Sequence, residues 1–189
     1  MKILVAYASR HGATQGIAER IAWTLETDGF DVALRSVGHV ESLDGYDAFV
    51  IGSAAYMGRW LKEATAFVRH HREALVGRPV WLFSSGPVGE EAVTKDGKDM
   101  LEASEPREFA ELERELPARD QHVFYGAYDP DLTSGTLLGR LSKLIPAIKE
   151  ALPAGDFRDW PAIEAWAHGI GRQLTASRDL ELAPATPTA

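Results

Sequence analysis

Ser9, Gly12 and Thr14 stand in the spacing S-x-x-G-x-T, with Arg10, His11 and Ala13 between them. Two hydroxyls, a glycine and two basic side chains in so short a stretch have the chemistry to hold a phosphate. The apolar run Ile3-Leu4-Val5-Ala6-Tyr7 lies just before them, and a helical pattern follows at once. A short apolar run of this kind reads as a buried parallel strand. The turn from such a strand into a helix leaves backbone N–H groups without partners, and the helix dipole favours an anion there. An ordinary capped turn, with Thr14 closing the helix end, is the competing reading.

The kind of phosphate follows from what the loop lacks. A Walker loop needs a lysine followed by Ser or Thr after its second glycine, and none is present. The dinucleotide fingerprint G-x-G-x-x-G is absent as well, since the loop's glycines are Gly12 and Gly16. The S-x-x-G-x-T pattern instead resembles the phosphate loop of flavodoxins, which holds the terminal phosphate of FMN. FAD is not expected, because nothing here would hold an AMP half.

Two later segments suit the remainder of such a ligand. Ser53-Ala54-Ala55-Tyr56-Met57-Gly58 combines small residues, which let backbone approach a ring, with an aromatic and a thioether for contact. Trp60 just beyond is either a further ring contact or core under the next helix. Ser84-Ser85-Gly86-Pro87-Val88-Gly89 would supply backbone N–H groups and a tight turn beside the ring's polar edge. Read in isolation, it is also an ordinary glycine-proline connector.

Alternating strands and helices place these three loops. Residues 14–28 form a helix with Ile17, Ala18, Ile21, Ala22 and Leu25 on one face, stopped by Gly29. Strands are expected at 30–35 (an exposed edge), 47–52, 79–84 and 123–127, with helices at 59–75 and 161–174. Five strands joined by helices predict an α/β fold, a doubly wound five-stranded parallel sheet in the flavodoxin-like order 2-1-3-4-5 with helices on both faces. Ligands in such sheets lie beyond the carboxyl ends of the strands, at the switch between the first and third, as FMN does in flavodoxins. Residues 1–176 make one domain, and the Ala/Pro/Thr-rich residues 177–189 are expected to be a disordered tail.

Rival uses of the same architecture fail at the same loops. A response-regulator receiver needs an acidic pair after the first strand, an aspartate after the third and a lysine after the fourth. Ser9-Arg10, Gly52-Ser53 and Ser84-Ser85 stand there instead. No G-x-S-x-G elbow exists for a hydrolase. His70 and His71 fall on a solvated helical face beside Arg69 and Arg72, so no metal is expected. The absence of cysteine excludes disulfides and thiolate chemistry and points to a reducing compartment. A net charge of −8 argues against nucleic acid. With no apolar stretch near ~20 residues and no signal-like N-terminal segment, a cytoplasmic protein is expected, at most peripherally associated with a membrane.

From residue 1 to about 174 the chain resembles the flavodoxin superfamily, and within it the branch of menaquinone-dependent protoporphyrinogen IX dehydrogenases. The opening Ile-Leu-Val-Ala-Tyr-Ala-Ser-Arg-His-Gly-Ala-Thr carries that resemblance, with the Gly52–Gly58 block and Asp156-Phe157-Arg158-Asp159-Trp160-Pro161-Ala162-Ile163. It implies FMN as cofactor, redox chemistry at the flavin, Ser9 to Thr14 on the phosphate, and Ser53 to Gly58 and Ser84 to Gly89 about the isoalloxazine. The third loop departs from the pattern, lacking the tyrosine that many small flavodoxins stack on the outer flavin face.

Two stretches around the fifth strand bear on partners. Residues 90–120 hold eleven acidic against five basic side chains. This is either a solvated helical face or a docking surface for a basic redox partner. Residues 136–152 place Leu137, Leu138, Leu141, Leu144, Ile145, Ile148 and Leu152 on one helical stripe, with Arg140, Lys143 and Lys149 beside it. The stripe either packs on the domain or walls an apolar substrate such as a quinone or porphyrinogen. Two functions stay open: an FMN-dependent oxidoreductase, porphyrinogen- or quinone-linked, and a flavodoxin-type electron carrier with no substrate of its own. No protein acid or base is assigned to either.

Overall fold

Strands that must hide both faces take the centre of the sheet. The computed structural model describes residues 1–131 and 153–182. Its central strand β3 (Ala48–Tyr56) is buried over seven consecutive residues, and β5 (Val80–Ser85) over all six. β1 (Lys2–Ala8) lies beside β3, and β2 (Asp31–Ser36) forms the half-exposed edge that its alternating Val32 and Leu34 predict. The parallel path runs β2-β1-β3-β5-β6, the last being β6 (Asp120–Phe124).

Helices cover both faces. On one, α1 (Ala13–Thr27) and the final helix α6 (Trp160–Leu182) bury Ile17, Ile21, Leu25, Ile163, Ile170 and Leu174 against Val5, Val50, Trp81 and Phe83. On the other, α2 (Lys62–His70), the single-turn α3 (Arg72–Leu75) and α5 (Arg107–Glu113) cover Leu4, Phe49, Ile51 and Leu82 with Phe67, Val68, Leu75, Phe109 and Leu112. A short helix α4 (Met100–Ala103) precedes α5 and is capped by Asp99, whose Oδ1 accepts from Leu101 and Glu102.

The sheet departs from the expected five strands by one. Arg59–Trp60 forms a sixth, β4, antiparallel to the end of β3, where a helix was expected from residue 59. The cause is local. Met57 (φ 53) and Gly58 (φ 70) both adopt left-handed conformations, so the chain reverses and pairs Tyr56 with Arg59. The helix then starts at Lys62 and is interrupted at His71.

Strand β6 ends at Phe124 instead of reaching residue 127; beyond it Gly86 N–H bonds the Phe124 carbonyl (3.0 Å) and Gly126 N–H the Pro87 carbonyl (2.8 Å). β7 (Ala127–Tyr128) belongs instead to a separate two-stranded ladder with β8 (Gly155–Asp156). At the C-terminus, residues 177–182 continue α6, so any tail begins later than the expected position 177. The leucine-rich stretch 136–152 lies outside the described residues, as do residues 183–189.

Candidate cofactor site

Four chain segments meet at the carboxyl ends of β1, β3, β5 and β6 and enclose a cavity of about 1200 Å³. The turn after β1 contributes Ser9 through Thr14, all six lining the cavity. Gly12 is the residue before the helix, at φ 86, a left-handed conformation that a side chain would strain. Ser9 Oγ accepts the Gly12 N–H (3.0 Å) and closes the turn. Gly16 N–H then makes the first intrahelical bond, to the Gly12 carbonyl (2.9 Å). The N–H groups of Ala13, Thr14 and Gln15 precede that bond, and no side chain caps the helix. Thr14 is therefore not the cap that the competing sequence reading made it. The helix terminus is left as a set of donors at the cavity wall, a setting whose chemistry suits an anion such as a terminal phosphate.

The β3–β4 turn contributes Ala54, Ala55, Tyr56 and Met57. Arg10 reaches across from the first loop, its guanidinium 5.3 Å from the centre of the Tyr56 ring. Burial raises the Tyr56 phenol above its ordinary value, against a smaller lowering by Arg10, so the phenol stays protonated at neutral pH. Met57, fully exposed, sits at the rim. The turn is anchored from behind. Arg107 N–H bonds the Gly58 carbonyl (3.1 Å), and the buried Glu108 accepts from the Trp60 N–H (3.0 Å) and from Arg59 (3.3 Å). Trp60 is core, packed edge-on to Phe109 with ring centres 5.5 Å apart.

The β5 loop contributes Ser85, Gly86, Pro87 and Val88. Four of the sequence-predicted residues stay outside the cavity lining: Ser53, Gly58, Ser84 and Gly89. Ser53 is fully buried, donating to the Ala54 carbonyl (2.9 Å) and accepting the Leu61 N–H (3.1 Å), so it fixes the strand rather than a ligand. Ser84 pairs with Ser53 across the sheet and is buried, its hydroxyl without a hydrogen-bond partner among the described residues. Strand alternation places these two hydroxyls in the core. An unpaired buried hydroxyl costs stability, so Ser84→Ala is expected to be neutral or stabilising by up to ~1 kcal/mol, with flavin affinity unchanged. Parallel thermal melts and flavin titrations check both halves.

Among the described residues, the rest of the wall comes from positions that sequence reasoning did not assign to this site: Glu91, Met100, Gly126 through Pro130, Ala154 through Asp156, and Arg158. The β7–β8 ladder and the Phe157 N–H bond to the Gly126 carbonyl (3.1 Å) bring these distant stretches together. Residues 156–158 carried a signal as part of a block resembling the dehydrogenase branch, and Glu91 as part of the acidic stretch 90–120; no pattern marked Met100.

The model of the flavodoxin domain matches residues 4–132, and the chain belongs to that family. Membership implies FMN binding, which the phosphate turn and the cavity fit. A flavodoxin from the domain Archaea shares 23% identity over 79% of this chain and 99% of its own, with a TM-score of 0.50. Oxidised Flavodoxin 2 from Bacillus cereus shares 28% over the same fractions, again at 0.50. Rubredoxin oxygen:oxidoreductase from the anaerobe Desulfovibrio gigas matches 93% of this chain at 14% identity and a TM-score of 0.58, but only 36% of its own length is covered. That likeness concerns the fold. No curated protein sequence matches the chain. Among the described residues, no helix is long and apolar enough to cross a membrane.

Proposed function

We propose that this protein is an FMN-dependent oxidoreductase whose cavity also admits an apolar, flat substrate of the quinone or porphyrinogen kind. The observation that supports it is the size and make-up of the cavity. Small-molecule pockets commonly span about 300–1,000 Å³. This one, at about 1200 Å³, continues past the ring loops to a wall that includes Met100 and Pro130. The bound flavin supplies one- or two-electron redox chemistry. The chain's own residues do the rest. The turn Ser9–Thr14 holds the phosphate end, Ala54 and Ala55 let backbone approach the ring, and the β5 loop offers N–H groups at its edge. Tyr56, protonated at neutral pH, keeps a hydroxyl donor at the mouth, while Arg10 stacked on it keeps a positive charge nearby.

The alternative is a flavodoxin-type electron carrier that docks on a redox partner protein. It draws on the acidic stretch 90–120, much of which is exposed, including Glu90, Glu91, Glu102 and Glu113. A cytoplasmic location belongs to either reading and rests on the cysteine-free, acidic composition. Anaerobic assays of the purified flavoprotein separate the two. The enzyme reading expects multiple turnovers of porphyrinogen oxidation or quinone reduction. Electron exchange with a flavodoxin reductase, without turnover of either substrate class, would overturn it in favour of the carrier.

A further inference from the structure

Arg158 lies almost 150 residues from the phosphate turn in sequence, yet its guanidinium stands against the first turn of α1. Nη1 donates to the Ala13 carbonyl (3.3 Å), while Nε and Nη2 form a fork on Asp156 (2.7 and 2.6 Å). The Trp160 ring supports the group, its centre 4.4 Å from the guanidinium carbon. Arg20 also packs on Trp160, at 5.0 Å, and is held by Glu164 at 2.6 Å. The helix makes room for this arrangement at Gly16, where a Cβ would overlap Nη1 of Arg158. Glycine is a poor residue for a helix interior, so its place here is explained by what it admits.

These supports hold the guanidinium in one orientation but do not use all of it. Arginine has five N–H donors, and the three bonds above leave one on Nη1 and one on Nη2. The side chain is 17% exposed and stands between two openings, lining the cavity together with Ser9–Thr14 on one side and a shallow cleft with Gly16, Glu19 and Arg20 on the other. Arg10, the other guanidinium at this end by sequence, is turned to Tyr56 instead. Asp156 orients Arg158, and its carboxyl is held below the usual range mainly by the hydrogen bond from that guanidinium. The Asp156 carboxylate therefore stays ionised at neutral pH.

We propose that Arg158 is a binding residue for the cofactor phosphate: braced by Asp156, Trp160 and the gap at Gly16, it presents its charge and its two remaining donors to the anion held by the Ser9–Thr14 turn. The inference rests on the FMN reading and adds a residue that lies outside the family's phosphate motif. Its consequence is that the junction between β8 and α6 is tied to the loaded phosphate turn.

Riboflavin, which lacks the phosphate, gives the control. The protein, freed of flavin by dialysis, is titrated with FMN and with riboflavin, and each dissociation constant is read by fluorescence quenching. Arg158→Gln is expected to weaken FMN about ten- to a hundredfold, the range for a charge-assisted hydrogen bond, and to leave riboflavin unchanged. Gly16→Ala keeps every charge and improves the helix, but displaces Nη1. It should weaken FMN selectively in the wild-type background and add nothing on top of Arg158→Gln. Equal losses for FMN and riboflavin would mean that Arg158 only braces the fold, and an unchanged ratio in both variants would mean that it does not face the phosphate. Either result overturns the proposal. Wild-type protein that binds neither flavin at micromolar concentration overturns the FMN reading itself.

Discussion

Gly52→Ala should destabilise the fold by about 3 kcal/mol, near the top of the usual range for overpacking a core. Gly52 faces Phe83 across the β3–β5 ladder, and a Cβ there would overlap three ring atoms of Phe83. The ring has nowhere to go. Phe83 is fully buried and packs against Phe124 (centres 6.3 Å apart) and Trp166 (6.2 Å), in the layer between the sheet and α6. In a chain of this length the change corresponds to a fall in Tm of roughly 6–12 °C. Shrinking the ring should relieve part of it, so Gly52→Ala combined with Phe83→Leu should cost less than the sum of the single changes. Thermal melts of the three variants measure that coupling. Strict additivity would show that the two residues do not compete for the same space.

Thr14→Ala should weaken FMN binding about ten- to a hundredfold while the melting of the flavin-free protein stays nearly unchanged. A charge-assisted hydrogen bond to phosphate contributes roughly 1.5–3 kcal/mol, and each ~1.4 kcal/mol is a factor of ten in affinity. Thr14 is 1% exposed yet lines the cavity, and it does not cap its helix. Loss of the hydroxyl therefore removes little from the fold. Isothermal titration with FMN, paired with melts of the flavin-free protein, tests the claim. An unchanged dissociation constant would return Thr14 to a packing role and remove the first loop from the phosphate.

The legible part of this chain was the part governed by local patterns. A run such as Ile3-Leu4-Val5-Ala6 can only be stable where both faces are covered, so its place in the sheet centre followed from composition. The spacing of Ile17, Ile21 and Leu25 specified which face of α1 is buried, and the polar alternation in β2 marked an edge. The turn Ser9–Thr14 was readable for the same reason: one stretch of chain carries the hydroxyls, the glycine and the helix start, and backbone geometry converts them into donors. Class, approximate strand order and the place of the first loop in the cavity wall were thus open to reading.

Whatever depends on which distant segments touch was not. Ser53 and Ser84 look like loop hydroxyls in sequence, but the register of β3 on β5 puts both in the core. Met57 and Gly58 reverse the chain only because both take positive φ, and the anchoring of that turn by Arg107 and Glu108 spans about fifty residues. Arg158 reaches α1 through a fold-dependent gap at Gly16, a position whose need for glycine no local rule reveals. Local propensity and periodicity act within a turn or a strand and can be read there. The closure of the cavity by Gly126–Pro130 and Ala154–Arg158 is a property of packing, which appears only when the chain is folded.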